Sequence, residues 1–171
     1  PPGGQWPFSA HFSPDGSRIA VGLFDTRRID VLSGDDLSYL FSPDTRGVQH
    51  GDLASACWSA DGSTLYGSGK YWNNGFSMRI WTNGGRGSYR DVVVANDTIM
   101  HILPLKHGGV VYASADPSFG ILNVMGQRVL FKSSSIADYR DNTKGFLVSY
   151  NGTEVQFGFE DIEITKLDTN P

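Results

Sequence analysis

The pattern from which the whole chain can be interpreted is Phe12-Ser13-Pro14-Asp15-Gly16-Ser17-Arg18-Ile19-Ala20-Val21-Gly22. It joins an apolar entry to an alternating apolar exit through a tight polar turn. Asp15 can accept hydrogen bonds from the backbone ahead of it, and Gly16 can adopt positive φ, so both residues suit the turn. Ile19 and Val21 recur with the period of two that indicates a strand. The segment therefore predicts two antiparallel strands joined by one turn.

This pattern returns three more times, in residues 58–67, 105–112 and 148–158. The glycines of the four turns are residues 16, 62, 108 and 152, and subtraction gives steps of 46, 46 and 44 residues. A repeat of that length, built from short strands, is typical of the blades of a β-propeller. The sequence therefore predicts an all-β propeller in which every blade repeats one supersecondary unit.

Each blade is predicted to contain four antiparallel strands, A to D, from the centre of the propeller outward. Three complete blades are expected at residues 8–41, 53–95 and 99–132, and a truncated fourth at 146–167, all within one domain over 1–171. The chain begins without methionine and ends partway through a repeat. We expect it to be a piece of a seven- or eight-bladed ring in a longer or processed polypeptide.

Composition narrows the classes of partner. The hydrophobic content of 39% excludes a disordered tail, and the net charge of −4 argues against a dedicated nucleic-acid binder. No apolar run approaches the roughly 20 residues that cross a bilayer, so no membrane partner is predicted. Cys57 is the single cysteine and cannot form an internal disulfide, which favours a reducing, cytoplasmic compartment.

The repeated turn and the C strand ending in Ile80-Trp81-Thr82 resemble the WD-repeat β-propeller family, whose C strand characteristically ends in Trp-Asp. Blades 1, 3 and 4 have Asp30-Val31, Asn123-Val124 and Lys166-Leu167 at about that place, so the dipeptide itself is eroded. The resemblance implies the blade geometry of that family.

Three loops resemble bacterial WD-repeat regions that accompany caspase-like peptidases or STAND-type NTPases. They are Phe24-Asp25-Thr26-Arg27, Ala115-Asp116-Pro117-Ser118-Phe119 and Phe157-Gly158-Phe159-Glu160. The resemblance implies a sensor or regulatory module of a larger bacterial protein, which binds a protein partner or packs against the remaining blades of its parent. Two alternatives stay open: a propeller enzyme, hydrolase or lyase, with a site in the central channel, and a half-propeller that forms a homodimer.

The residues that could carry catalysis are scattered. Cys57 lies in the middle of a predicted strand and lacks the Gln-Ala-Cys-x-Gly surroundings of a caspase nucleophile, so it is interpreted as a buried apolar residue. The four histidines, at positions 11, 50, 101 and 107, include no H-x-x-x-H pair. We therefore predict no enzyme activity, no catalytic or metal-binding residues and no cofactor.

A protein-binding surface is the remaining candidate. In a propeller the B–C and D–A loops emerge on one face, and exposed Tyr, Trp and Arg side chains dominate protein-binding hot spots. The residues predicted to share that face are Arg27, Tyr71, Trp72, Asn73, Asp116 and Phe119. The alternative is that Tyr71 and Trp72 fold back onto their own blade.

Overall fold

The computed structural model describes residues 3–106, 108–116, 118–133, 146–149, 154–157 and 163–166. Its strands form four antiparallel sheets. The first contains β1 (Pro7–Phe12), β2 (Arg18–Leu23), β3 (Ile29–Ser33) and β4 (Tyr39–Phe41). The second contains β5 (Ser55–Trp58), β6 (Leu65–Ser68), β7 (Phe76–Trp81) and β8 (Tyr89–Ala95). The third contains β9 (Ile99–Pro104), β10 (Val110–Ser114), β11 (Ser118–Leu122) and β12 (Arg128–Ser133), and the fourth β13 (Phe146–Val148), β14 (Glu154–Phe157) and β15 (Glu163–Lys166).

Strands are hydrogen-bonded in chain order within every sheet. The prediction of three four-stranded antiparallel blades is confirmed, and the described part of the fourth sheet has three strands. Among the described residues one 3-10 turn is found, Asn83–Gly85, which lies between β7 and β8. No helix in the described ranges is long and apolar enough to cross a membrane.

The turn between the first two strands of a blade is fixed by its own side chains. The Asp15 carboxylate accepts hydrogen bonds from the hydroxyl of Ser13 at 2.6 Å, the backbone N–H of Ser17 at 3.1 Å and the hydroxyl of Ser17 at 2.9 Å. Gly16 has φ 72°, which only glycine adopts without strain. Asp61 makes the same three bonds in the second blade. The repeated Ser-x-Asp-Gly-Ser string therefore closes the first hairpin of blades 1 and 2.

The corresponding turn of the third blade is one residue shorter. The Leu105 N–H donates to the Gly109 carbonyl, four residues on, whereas the Ser59 N–H reaches Thr64, five residues on. The shift reverses the direction of the side chains that follow. Tyr112, which lies 46 residues after Tyr66, therefore faces back to the second blade, where its hydroxyl donates to the Val94 carbonyl at 2.7 Å.

Neighbouring blades pack face to face, and their inner strands are joined by serine side chains. The Ser9 hydroxyl on β1 donates to the Ala54 carbonyl at 2.7 Å and accepts from the Ala56 N–H at 2.9 Å. In the next interface the Ser55 hydroxyl donates to the Met100 carbonyl at 2.9 Å. Apolar clusters fill the space outside these bonds. Each blade is thus held by its neighbours as well as by its own ladder.

The first blade has one face that no described blade covers. Register places Phe12, Ile19, Leu32 and Tyr39 in one row across its four strands. The row that packs on the second blade is His11, Ala20, Val31 and Phe41.

In the uncovered row the outer members remain exposed, Phe12 by 61% and Tyr39 by 46%. Because a blade buries too little surface alone, this face requires further blades or a partner.

Candidate functional site

The loops that precede the inner strands and the loops between the second and third strands lie at one end of the sheets, here called the upper face. They enclose a cavity of about 300 Å³ to which three blades contribute. Its lining residues are Phe8, Phe24, Asp52, Ala54, Gly69, Lys70, Asp97, Thr98, Ile99, Met100 and Ala115.

Aromatic rings form one wall of the upper cavity. The centroids of Phe8 and Phe24 are 6.4 Å apart, and Phe8 lies against the His101 ring with centroids 6.2 Å apart at an interplanar angle of 26°. Lys70 places its ammonium 4.6 Å from the centroid of Phe24. An exposed contact of this cation–π type contributes about 0.5–1 kcal/mol. The face of the Phe24 ring is therefore already in contact with one cation, the Lys70 ammonium.

A buried carboxylate, Asp52, also lines the upper cavity. Asp52 is 6% exposed, and its Oδ1 accepts hydrogen bonds from the backbone N–H groups of Ala54 at 3.2 Å and Lys70 at 3.1 Å. A Cβ at Gly69 would lie only 2.2 Å from the same oxygen, so glycine is required where the loop passes Asp52. Burial raises the pKa of Asp52, and its two backbone donors only partly oppose that effect.

Five of the six residues predicted for the upper face lie in its loops, and four of these, all but Tyr71, are exposed or half-buried. Trp72 is 48% exposed and packs edge-on against Phe76 with centroids 5.3 Å apart. Asn73 and Arg27 are exposed. Asp116 is half-buried and accepts a hydrogen bond from the Ser118 hydroxyl. None of these four lines the cavity described above. Their role in binding stays a prediction.

The predicted exposure of Tyr71 is wrong, because the side chain is fully buried. Its hydroxyl donates to Asp91 Oδ2 at 2.8 Å, and the guanidinium of Arg79 lies 5.4 Å from its ring. Arg79 is itself 1% exposed and donates to both oxygens of Asp91, at 2.7 and 2.8 Å. Tyr71 folds back onto its own blade because it completes this buried ion pair.

Phe119 is also misplaced by the sequence-based prediction, which put it in a loop. It belongs to β11, is 4% exposed, and packs with Val111, Ala113 and Ile121. The strand begins at Ser118, before Phe119, because the aromatic ring gains more by entering this cluster than by pointing into solvent.

Sequence reasoning missed Phe8, Phe24 and Lys70, the residues that shape the cavity, together with the neighbouring Trp6. Trp6 is 64% exposed, and its carbonyl accepts a hydrogen bond from the Phe24 N–H at 2.9 Å. The available signal was the aromatic-rich N-terminal run from Trp6 to Phe12, which alternation alone assigned to an ordinary inner strand. That the loops of three blades bring these rings together could not be obtained from their spacing.

Other described side chains that could serve in catalysis or metal binding do not form a site. Cys57 is completely buried, and burial raises the pKa of its thiol far above the usual value. Burial lowers the pKa of both His11 and His101, and the charge of His11 further lowers that of His101. Within the described ranges no three His, Cys, Asp or Glu side chains are arranged to hold a metal ion.

No protein-family model matches the sequence, and no curated protein does. The RRP9 WD40 repeats superpose with a TM-score of 0.63 at 18% identity, covering 77% of this chain and 41% of that one. The Myceliophteria thermophila Cps50 (Swd1) β-propeller domain gives 0.67 at 14% identity, covering 94% and 52%. The chain has the WD40 β-propeller fold.

The chain also superposes on the hydrazine synthase of Kuenenia stuttgartiensis, with a TM-score of 0.66 at 15% identity over 96% of this chain and 46% of that one. This chain thus spans about half the length of the structures that it matches, and its blades form a partial propeller. Since one of the matched structures is named as an enzyme, the WD40 fold alone does not separate a binding module from a catalyst.

Proposed function

We propose that this chain is a non-catalytic protein-binding module and that its upper face receives the partner. The observation that carries the proposal is the cavity of about 300 Å³ lined by two exposed aromatic rings, Phe8 and Phe24, which are 43% and 42% exposed. Interface centres are enriched in aromatic residues, and a few of these supply most of the binding free energy. A cavity with an apolar wall and a few polar groups fits a short segment of another protein.

The absence of catalysis is part of the same proposal. The Cys57 thiol lies inside a blade interface and is held protonated, so it does not resemble an activated nucleophile. His11 and His101 lie on inner strands of different blades, and the His101 ring stacks against Phe8. Panels of esterase and glycosidase substrates should therefore give no turnover with the purified chain.

The proposal extends to the parent protein. We place the module in a cytoplasmic bacterial polypeptide in which the propeller regulates a caspase-like or NTPase effector. Its support is the resemblance of the loops at residues 24–27, 115–119 and 157–160 and the length of the matched structures, about twice that of this chain. The uncovered row of blade 1 would then pack against further blades. A homodimer of two such chains is the competing arrangement, and a solution mass of about twice 18.7 kDa would favour it.

The binding proposal can be tested by selecting random 12-residue peptides displayed on phage against the folded chain. Enriched peptides should bind the wild type and lose most of their affinity for Phe24→Ser. Phe12→Ser is the matched control, since it removes an exposed phenylalanine from the uncovered blade face instead of the upper face. Selection without enrichment, or peptides that bind Phe24→Ser as well as wild type, would overturn the proposal.

A further inference from the structure

Lys70 shows which ligand chemistry the upper cavity accepts. Its backbone is fixed, because its N–H donates to Asp52. Its side chain is exposed, and the contact that the structure gives its ammonium is the ring of Phe24, 4.6 Å away. A cation on an exposed flexible stem is easily displaced from such a ring. The Phe24 face is therefore a cation position held by a side chain that can leave it.

The charges around this ring also favour a cation. Two carboxylates, Asp52 and Asp97, line the cavity against the one ammonium of Lys70. Oδ1 of Asp52 accepts two backbone donors, and within the described ranges no hydrogen bond reaches its Oδ2. The burial that raises the pKa of Asp52 is what an entering positive charge would offset. An anionic ligand would meet net repulsion in the same place.

The surroundings indicate that the cation belongs to a peptide. The Phe8 ring continues the aromatic wall from Phe24, and the exposed Trp6 is joined to Phe24 through its backbone carbonyl, so the side chains that flank the cation would find apolar surface. A lysine or arginine side chain has the long apolar stem and charged end that fit this combination. A small inorganic cation would leave the aromatic wall unused.

We infer that the upper cavity recognises a lysine or arginine side chain of a partner segment, which takes the Phe24 face from Lys70 and approaches Asp52. Lys70 is thus a built-in competitor that weakens the binding of every cation at this ring. This inference rests on the proposed function of the upper face, and it specifies the partner chemistry.

The test uses blocked alanyl-arginyl-alanine amide and the same tripeptide with citrulline, which has nearly the shape of arginine but no charge. Titrations of the isotope-labelled chain are followed by NMR. The arginine peptide should shift the amide signals of Phe24 and Lys70 and bind at least about fivefold more tightly than the citrulline peptide. Phe24→Leu, which keeps an apolar side chain but removes the ring, should weaken arginine binding about fivefold.

The competitor role has its own variant. Lys70→Ala should tighten arginine binding about twofold to fivefold, since the ring is then vacant. Lys106→Ala is the matched control, because it removes the same charge from an exposed lysine in the groove between the turns of blades 2 and 3. Equal tightening in both variants would reduce the effect to net charge and overturn the competitor role.

Equal affinity for the arginine and citrulline peptides would overturn the cation site. If phage-selected peptides without lysine or arginine still required Phe24, the binding function would stand and the cation inference alone would fail. If no selected peptide required Phe24, the proposed function itself would fail.

Discussion

Replacing Asp91 should lower the free energy of unfolding more than a comparable change at the surface, because Asp91 is the counter-ion of a buried arginine. Arg79 lies on β7 at 1% exposure and donates two hydrogen bonds to Asp91, which is 16% exposed on the neighbouring strand β8. The same guanidinium donates to the Arg46 carbonyl at 2.7 Å and lies 3.8 Å from the ring of Tyr89. The pair therefore ties the second blade to the loop that follows the first.

The magnitude follows from what would be left behind. Asp91→Leu leaves the Arg79 charge buried without its partner and the Tyr71 hydroxyl without its acceptor. Breaking a buried ion pair in this way costs about 3–5 kcal/mol, and the partial exposure of Asp91 favours the lower end of that range. For a chain of this size, a loss of about 3 kcal/mol lowers the melting temperature by roughly 6–12 °C.

Urea unfolding monitored by the fluorescence of the buried Trp58 and Trp81 measures this loss. The double variant Arg79→Met with Asp91→Leu should be more stable than Asp91→Leu alone, because it leaves no unpaired charge. Arg46→Ala, which removes an exposed ion pair from the adjoining loop, is the control and should leave the urea midpoint unchanged. A double variant that is less stable than Asp91→Leu would refute the reasoning.

Three further outcomes are expected. Gly22→Ala should lose about 1–3 kcal/mol, since its Cβ would lie 2.0 Å from the Ala54 carbonyl oxygen of the next blade, and an unchanged urea midpoint would contradict this close packing. Cys57 should react with a thiol reagent only in denaturant, because burial raises the pKa of its thiol, so rapid labelling in buffer would show that the interface opens. Hydrogen bonds from the serine side chains and backbone of the turn hold the pKa of Asp15 at about 2, below its usual value. This depressed folded-state pKa gives stability that is complete above about pH 4 and is lost as the pH falls toward 2. The variant with Asn at positions 15 and 61 should accordingly lose less stability over that range, and a pH dependence identical to that of the wild type would contradict the role of the two turns.

The candidate site was only partly predictable, and the misassigned residues show why. The sequence assigned Tyr71 and Phe119 to loops of one propeller face, but it could not give the direction of either side chain. Tyr71 and Phe119 leave the surface because each finds a better environment inside, an ion pair in the first case and an apolar cluster in the second. Such environments are formed by residues from other strands, so no local sequence pattern predicts them.

The repeat itself was a local property. The turn at Asp15 is closed by Ser13 and Ser17, all within five residues, and for that reason its string could be recognised again at Asp61 and counted along the chain. Strand order and blade architecture follow from that count, because short connections leave each strand no neighbour but the next.

Only the tertiary structure determined which side chains face each blade interface and which residues come together at the upper face. A turn one residue shorter at Leu105 reverses the face on which Tyr112 points, although the spacing of the glycines does not change. Packing of successive blades, with serine hydroxyls joining their inner strands, sets the distance at which Phe8 and Lys70 come together around Phe24. A binding cavity built from three repeats depends on the angles between blades, and those angles are set by side-chain packing across interfaces that sequence spacing does not encode.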